Sequence, residues 1–182
     1  MDRHFISVVF LLASFILFIS SSPGRGNLQD ESVEKNTRRQ SSFTYQLASI
    51  DQVQVSELAE IVYHKVNEYR ISQDLNPLTL NPFLSDLAKE HSRNMATGEV
   101  PFSHEGIEER TQAIGQKYSY SSIAENVGYT MGSDTPARKV VENWLKSPAH
   151  RKNISGDFEL SGIGVARGDK GEYYFTQIFL KR

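Results

Sequence analysis

The stretch LSGIGVARGDKGEYYFTQIFL, residues 160–180, determines the fold class. Residues 160–167 and 173–180 are predicted to be strands, and the Gly-Asp-Lys-Gly sequence at residues 168–171 is the turn that joins them into a hairpin. Apolar side chains occupy both faces of the second strand: Tyr173, Phe175 and Phe179 on one, Tyr174, Ile178 and Leu180 on the other. Because such a strand needs cover on both faces, the hairpin predicts a sheet between helix layers.

Two helices are predicted upstream of the hairpin. Apolar residues recur at helical spacing from Val55 to about Ser72, which predicts the first helix. Asn81 and Pro82 then combine an N-cap residue with a proline at the first helical position. We expect the second helix to run from there to a C-terminal stop at Gly98.

The central part of the chain supplies the remaining predicted elements. Thr135 followed by Pro136 repeats the signal of a cap and a proline, and Pro148 ends the helix that starts there. A short helix is predicted over residues 107–114 and a third strand over residues 124–130. The elements together predict a sheet sandwiched between helices.

Length, charge and cysteine content limit the function classes. The chain has 182 residues, enough for one domain with a packed core, and a formal net charge of -2. This charge gives no electrostatic footprint for nucleic acid or for an acidic membrane surface. Because the chain has no cysteine, we expect neither disulfides nor Cys-ligated zinc, and core packing must stabilise the domain.

The N-terminus has the features of an export signal. A weakly positive start precedes an apolar run over residues 5–19, which is shorter than the ~18 residues of a spanning helix. We therefore predict a secretory signal peptide over residues 1–22, although an uncleaved membrane anchor stays open because no clean A-x-A site is present. Residues 23–55 are polar and are predicted to form a flexible linker, and residues 56–182 the folded domain.

Three polar residues are candidates for a functional site. His104 follows Pro101-Phe102-Ser103, Glu125 lies inside a mostly apolar segment, and His150 follows a helix end. Imidazole and carboxylate are the usual components of a divalent-metal site or of an acid/base pair. A carboxylate that cannot easily contact water needs a partner, which a histidine or a metal ion would provide.

Most polar candidates also have a structural interpretation. His150 could interact with the last carbonyls of the preceding helix, and Glu125 could cap backbone N–H groups. His91 lies on the apolar face of the second predicted helix, where a hydrogen-bonded core histidine is more common than a ligand. Glu142 lies away from the apolar face of its helix and is predicted to be solvated.

Several enzyme signatures are absent from the sequence. The segment from His104 to Glu108 is not the H-E-x-x-H motif, and neither a G-x-S-x-G elbow nor a P-loop is present. Gly162 and Gly164 do not open a helix and so are not a dinucleotide-binding fingerprint. We expect them to let another backbone or ring approach the strand closely.

Six segments in a fixed order resemble the CAP superfamily, which comprises the cysteine-rich secretory proteins, antigen 5 and the pathogenesis-related proteins. They are VNEYR (66–70) with LNPL (75–78), FSH (102–104), AENV (124–127), WLKSPAHRKNI (144–154), GIGV (162–165) and YFTQIF (174–179). Their order and spacing are similar to the short, cysteine-free form common among bacterial members. The resemblance covers about residues 56–182.

The resemblance implies an α+β fold, a three-layer α-β-α sandwich with a central, mainly antiparallel sheet. It also implies a cleft lined by two histidines and two glutamates, which holds a divalent metal such as zinc in some members. By motif, these positions fall on His104, Glu125 and His150, whereas the second glutamate has no clear counterpart, so a three-ligand site is expected. The same segment places Arg151 near the cleft, where a cation favours an anionic ligand and opposes a metal.

Two functions follow from the resemblance. The first is a binding module, secreted or in the cell envelope, for a lipid, sterol, small molecule or protein, with no required cofactor. The second is a metal-dependent hydrolase or protease with zinc on His104 and His150 and with Glu125 as ligand or base. Binding is favoured because no nucleophile motif is present and two histidines with one carboxylate are a minimal zinc set. No nucleic-acid partner is expected, and membrane contact only if the N-terminal segment stays uncleaved.

Overall fold

The computed structural model describes residues 28–182, so the signal peptide predicted over residues 1–22 lies outside the described residues. Residues 28–41 belong to one compact unit and residues 42–182 to a second. The described elements are α1 (Leu28–Ser72), β1 (Thr79–Leu80), α2 (Pro82–Thr97), α3 (Ile107–Lys117), β2 (Ser122–Thr130), α4 (Pro136–Lys146), α5 (Pro148–Ile154), β3 (Leu160–Arg167) and β4 (Tyr173–Lys181). In this part of the chain no helix has both the length and the apolar character needed to cross a bilayer.

Every described residue of the range 23–55, which is predicted from the sequence to be a flexible linker, is helical and belongs to α1. Neither glycine nor proline interrupts residues 28–72. Arg38 donates to Glu34 one turn earlier at 2.8 Å, and the hydroxyl of Thr37 bonds the carbonyl of Val33. This part of α1 thus has local polar bonds but no apolar stripe, and apolar periodicity alone does not predict such a helix.

The start and end of α2 agree with the sequence prediction. Asn81 Oδ1 accepts the N–H of Leu84 at 3.1 Å, and Pro82 occupies the first turn. Gly98 ends the helix with φ 75°, a left-handed conformation that glycine adopts without a steric penalty. Local chemistry therefore sets the length of this helix.

Two short elements were not predicted. Pro148 follows the end of α4 as expected, but it also begins α5, because a proline at the first helical position needs no N–H partner. The two-residue strand β1 pairs in parallel with Leu160 and Ser161 of β3. Helix α3 begins at Ile107 as predicted and ends at Lys117 rather than at Ile114.

The sheet has the order β1-β3-β4-β2 and is mainly antiparallel, as predicted. The hairpin pairs β3 with β4, with Gly164 opposite Thr176, and β2 pairs with the other edge of β4, with Glu125 opposite Ile178. Strand β2 is therefore an edge strand of this sheet. The functional candidates lie beside it.

Helices cover both faces of the sheet, which confirms the predicted α-β-α sandwich. Residues of α1, α4 and the odd-numbered positions of β4 form the larger core, which includes Val62, Trp144, Phe175 and Phe179. Residues of α2, α3 and the even-numbered positions of β4 form the smaller one, which includes Leu84, Ile114, Ile178 and Leu180. The two apolar faces of the last strand therefore lie in two different cores.

Gly162 and Gly164 allow α2 to lie directly on β3. A Cβ atom at Gly162 would be 2.1 Å from the carbonyl carbon of Leu84, and one at Gly164 would be 2.1 Å from that of Ala88. Both contacts are with helix backbone, which cannot move aside as a side chain can. The predicted close backbone approach is confirmed.

Candidate functional site

Glu125 of β2 is the centre of a buried hydrogen-bond network. Its side chain is only 2% exposed. Arg110 of α3 donates to both carboxylate oxygens, from Nε to Oε2 and from Nη2 to Oε1, each at 2.8 Å. His104 Nδ1 lies 2.9 Å from Oε1. The partner expected for this carboxylate is thus a histidine, together with an arginine that the sequence analysis did not identify.

Arg110 is fixed by bonds beyond those to Glu125. Its Nη1 donates to the carbonyl of Glu105 at 2.9 Å, and Nη2 lies 3.5 Å from the carbonyl of His104. Gly106 begins the turn into α3 with φ 77°, and a Cβ atom there would be 3.1 Å from Arg110 Nη1. A planar fork with two parallel bonds is the strongest geometry between arginine and a carboxylate. Arg110 therefore neutralises the charge of Glu125 at close range.

One signal in the sequence could have identified Arg110. It falls between Ile107 and Ile114 at positions i, i+3 and i+7, which lie on one helical face. A charged residue on the apolar face of a helix needs a buried partner. Glu125, the carboxylate in an apolar segment, is that partner.

His104 presents one ring nitrogen to the carboxylate and the other outward. Since Glu125 accepts, the proton of the neutral ring is assigned to Nδ1, which leaves Nε2 as an acceptor. The His104 side chain is 50% exposed, whereas the side chains of Glu125 and Arg110 are 2% and 10% exposed. The loop behind it is held by His91, whose Nε2 lies 2.9 Å from the carbonyl of Ser103. His104 is therefore a half-exposed polar group on a rigid support.

His150 lies on α5, next to the edge strand. Its carbonyl accepts from Asn126 Nδ2 at 3.2 Å, and Asn153 Nδ2 donates to the carbonyl of Glu125 at the same distance. Burial lowers the pKa of the His150 imidazole, and a proton on the nearby His104 lowers it further. His150 Nδ1 is buried and has no hydrogen-bond partner among the described residues. His150 thus adjoins the network, but its side chain forms no hydrogen bond with the carboxylate of Glu125 among the described residues.

Arg151, expected near the cleft, is bonded to a helix end. Its guanidinium donates to the carbonyl of Leu145 at 3.1 Å and is exposed. Bonding to the last carbonyls of this helix is the interaction that the sequence suggested for His150. The cation bound to the carboxylate of the site is Arg110.

The three residues predicted to hold a metal, His104, Glu125 and His150, do not form a three-ligand group. Among residues 28–182 no three His, Asp or Glu side chains are placed to hold a metal ion. Both oxygens of Glu125 instead accept from the guanidinium of Arg110. A neighbouring cation raises the cost of placing a metal on this carboxylate. We therefore assign Glu125 to the pair with Arg110, and metal binding at His104 and His150 stays a prediction.

Two other polar residues behave as predicted. His91 is buried and hydrogen-bonded within the smaller core, and burial and the charge of Arg110 lower its pKa. Glu142 is exposed on α4. Neither is part of the hydrogen-bond network around Glu125, although His91 supports the loop that carries His104.

A cavity of about 230 Å³ adjoins the network. It is lined by Leu87, Glu90, His91, Asn94, Val100, Glu105, Gly106, Glu109 and Arg110. Three of these residues are glutamates, so the cavity disfavours an anionic ligand.

Comparison with known proteins gives relatives in bacteria. A model of the cysteine-rich secretory protein family, CAP, matches residues 63–179. The uncharacterized protein YkwD of Bacillus subtilis (strain 168) is 30% identical over 131 residues, which are 69% of this chain and 48% of that protein. This chain therefore spans about half the length of the curated relative it matches.

Solved structures share the fold. A cysteine-rich secretory protein from Staphylococcus aureus is 28% identical with a TM-score of 0.57, over 71% of this chain and 40% of that one. An extracellular protein containing an SCP domain from Bacillus anthracis is 27% identical with a TM-score of 0.55, over 70% and 41%. An outer surface protein from Borrelia burgdorferi is 24% identical with a TM-score of 0.58, over 69% and 93%, and supports the fold alone. Because the family model matches more than half of the chain, this protein belongs to the cysteine-rich secretory protein (CAP) family.

Proposed function

We propose that this protein is an extracellular binding module whose ligand site is centred on His104. One observation carries the proposal: the buried Glu125 carboxylate, paired with Arg110, orients an imidazole that is 50% exposed. Holding the ring in one orientation costs conformational entropy. It stabilises the fold little, because the ring is solvated. Such an arrangement is useful where a partner binds the outer nitrogen.

The charges of the network favour an uncharged polar ligand. Arg110 and Glu125 neutralise each other at 2.8 Å, so neither offers a free charge to a ligand. Neutral His104 offers Nε2 as an acceptor, which suits a hydroxyl or amide donor. This differs from the anionic ligand that the position of Arg151 had suggested, because Arg151 donates to Leu145.

The metal-dependent hydrolase is the weaker candidate. It needs Glu125 as a metal ligand or as a base, and both oxygens of that residue are hydrogen-bonded to Arg110. Titration calorimetry with zinc at neutral pH tests this point. We expect that zinc does not bind at His104. Zinc binding by the wild type that is lost in His104→Ala would make the hydrolase the better candidate.

Two lines of support favour a location outside the cytoplasm. The apolar run at residues 5–19 is typical of an export signal. The similar structure from Bacillus anthracis is described as an extracellular protein. Fractionation of the producing cells, followed by detection in the medium and the envelope, tests the location.

Nuclear magnetic resonance can test the binding site directly. The protein would be titrated with small neutral probes that carry hydroxyl or amide groups, such as glycerol, N-methylacetamide and glucose. We expect shifts at His104 and His150, and about ten-fold weaker binding for His104→Ala. His64→Ala, an exposed histidine on α1, is the matched control. Probe binding whose affinity is unchanged in His104→Ala would contradict the proposed site.

A further inference from the structure

Three aromatic rings form an exposed cluster that the proposed function does not explain. Phe102 and Tyr129 are 53% and 40% exposed, and Tyr174 is half-buried beside them. The ring centroids lie 5.3 Å apart for Tyr129 and Tyr174, and 6.1 and 6.4 Å from Phe102 to those two rings. The rings are tilted by 56–67° to one another, so they are not stacked face to face. We call these three residues the aromatic shelf.

The shelf has a rigid support. Tyr129 of β2 and Tyr174 of β4 are directly opposite each other in the antiparallel ladder. Phe102 precedes Ser103, whose carbonyl is held by His91 at 2.9 Å and whose Oγ accepts the N–H of Glu105 at 3.1 Å. Exposed apolar rings held in this way are preorganised for contact with a ligand.

The shelf is continuous with the site at His104. Phe102 and His104 flank Ser103, so one short loop contributes to both. On β2, Glu125 and Tyr129 are four residues apart and face the same side of the sheet, a distance of about 13 Å. A single ligand that contacts both regions is therefore several linked rings long.

We propose that the shelf and His104 together bind a neutral oligosaccharide, an inference that rests on the proposed function. A sugar ring has an apolar C–H face that can lie on an aromatic ring and a rim of hydroxyl groups that bond polar side chains. The shelf supplies half-exposed ring faces, and the site supplies an acceptor at His104 Nε2. The balanced charges of Arg110 and Glu125 favour a neutral glycan over an acidic one.

The polar groups among the rings distinguish a sugar from an acyl chain. The Tyr129 hydroxyl donates to the sulfur of Met131 at 3.2 Å, a weak bond that a sugar hydroxyl can replace. Burial raises the pKa of Tyr174, and the negative charge of Glu172 adds to the effect, so its phenol stays protonated. An acyl chain would cover these hydroxyls without bonding them.

Isothermal titration calorimetry with two neutral tetrasaccharides tests the proposal. Cellotetraose carries only hydroxyls, and the tetramer of N-acetylglucosamine adds acetamido groups. We expect binding of at least one, weakened about ten-fold by Tyr129→Ala and by Phe102→Leu, which keeps apolar volume but removes the flat face. Tyr45→Ala, on an α1 residue that is 77% exposed, is the control and should bind as the wild type does.

The outcomes separate the shelf from the proposed site. If neither tetrasaccharide binds at about 1 mM, or if both shelf variants bind like the wild type, the saccharide proposal is overturned. Weakening by the shelf variants but not by His104→Ala would retain the glycan site and overturn the proposed function at His104. Binding of lysophosphatidylcholine that is sensitive to Tyr129→Ala, without sugar binding, would show a lipid surface instead.

Discussion

Two buried arginines, Arg70 and Arg110, show how the same side chain serves the scaffold and the site. Arg70, at the end of α1, is 2% exposed. It donates to four backbone carbonyls, of Asn76 at 2.8 Å, Ile154 at 2.7 Å, Gly156 at 2.8 Å and Phe158 at 3.3 Å. Arg110 is 9% exposed, and its main partner is the carboxylate of Glu125.

The two arginines differ in the groups that they bind. Arg70 connects the chain after α1 to the end of α5 and the chain that follows it, and the four groups it bonds are backbone carbonyls. Burial lowers its pKa, but an arginine stays protonated in a folded protein. Arg110 instead neutralises a side chain that also orients the half-exposed ring of His104. A buried cation bonded to carbonyls thus stabilises the fold, whereas one bonded to a carboxylate beside an exposed imidazole indicates a site.

The largest effect is expected for Arg70→Met. It leaves up to four carbonyls without their donor, and each unsatisfied buried polar group costs about 1–3 kcal/mol. Because some carbonyls will recruit water, we expect the free energy of unfolding to fall by about 4 kcal/mol, measured by urea denaturation.

The matched variant for this prediction is Arg70→Lys. It keeps the charge but lacks the planar fork, so it should recover less than half of the lost stability. A loss below about 1 kcal/mol for Arg70→Met would show that Arg70 is not the anchor described here.

The pair of Arg110 and Glu125 should give the second largest effect. We expect Arg110→Met and Glu125→Gln each to cost about 2 kcal/mol, because each leaves the other group buried without its partner. The double variant should cost about 2 kcal/mol less than the sum, which is the coupling measured in a double-mutant cycle. The exposed pair of Arg38 and Glu34 is the control, with an expected coupling below about 0.5 kcal/mol. Additive costs for Arg110 and Glu125 would contradict the assigned network.

Much of the fold could be predicted from local signals. The hairpin and the start of α2 depend on residues that are near one another in sequence. The close approach at Gly164 depends on the absence of a side chain there. Helix α1 before Val55 was not predicted because its residues form local polar bonds but no apolar stripe. Strand β1 was missed because two residues carry no periodicity, and only the neighbouring edge of β3 makes them a strand.

The site was predictable only where a residue lacked a local explanation. Glu125 and His104 were found because neither is required by local packing, and the structure joins them. Arg110 was missed because its role requires the turn at Gly106 and the edge strand together. Arg151 was expected in the cleft because it follows His150, but successive residues of a helix point in different directions.

A smaller, pH-dependent effect should distinguish His91 from exposed histidines. Burial and the charge of Arg110 lower the pKa of His91 in the folded protein. The unfolded chain therefore binds a proton near pH 6.5 that the folded protein resists, so stability falls as the pH drops below that value. Thermal melts between about pH 7 and 5 should show a shallower decline for His91→Gln than for the wild type.

Two variants check this interpretation of the pH dependence. His150, whose pKa is also lowered by burial, should account for part of the remaining slope, and His150→Gln should reduce it further. His64→Gln, at an exposed position on α1, should leave the slope unchanged. Equal slopes for His91→Gln and the wild type would mean that the loop at Ser103 does not depend on a neutral imidazole.

The smallest effect on stability is expected at His104, the residue on which the proposed ligand site is centred. His104→Ala removes one hydrogen bond from a ring that is 50% exposed, so the free energy of unfolding should fall by less than about 1 kcal/mol in urea denaturation. Arg110 still satisfies Glu125 in this variant, which is why the network survives. If His104→Ala cost as much as Arg110→Met, the imidazole would be a third member of the scaffold, and the contrast between the two arginines would no longer identify a site.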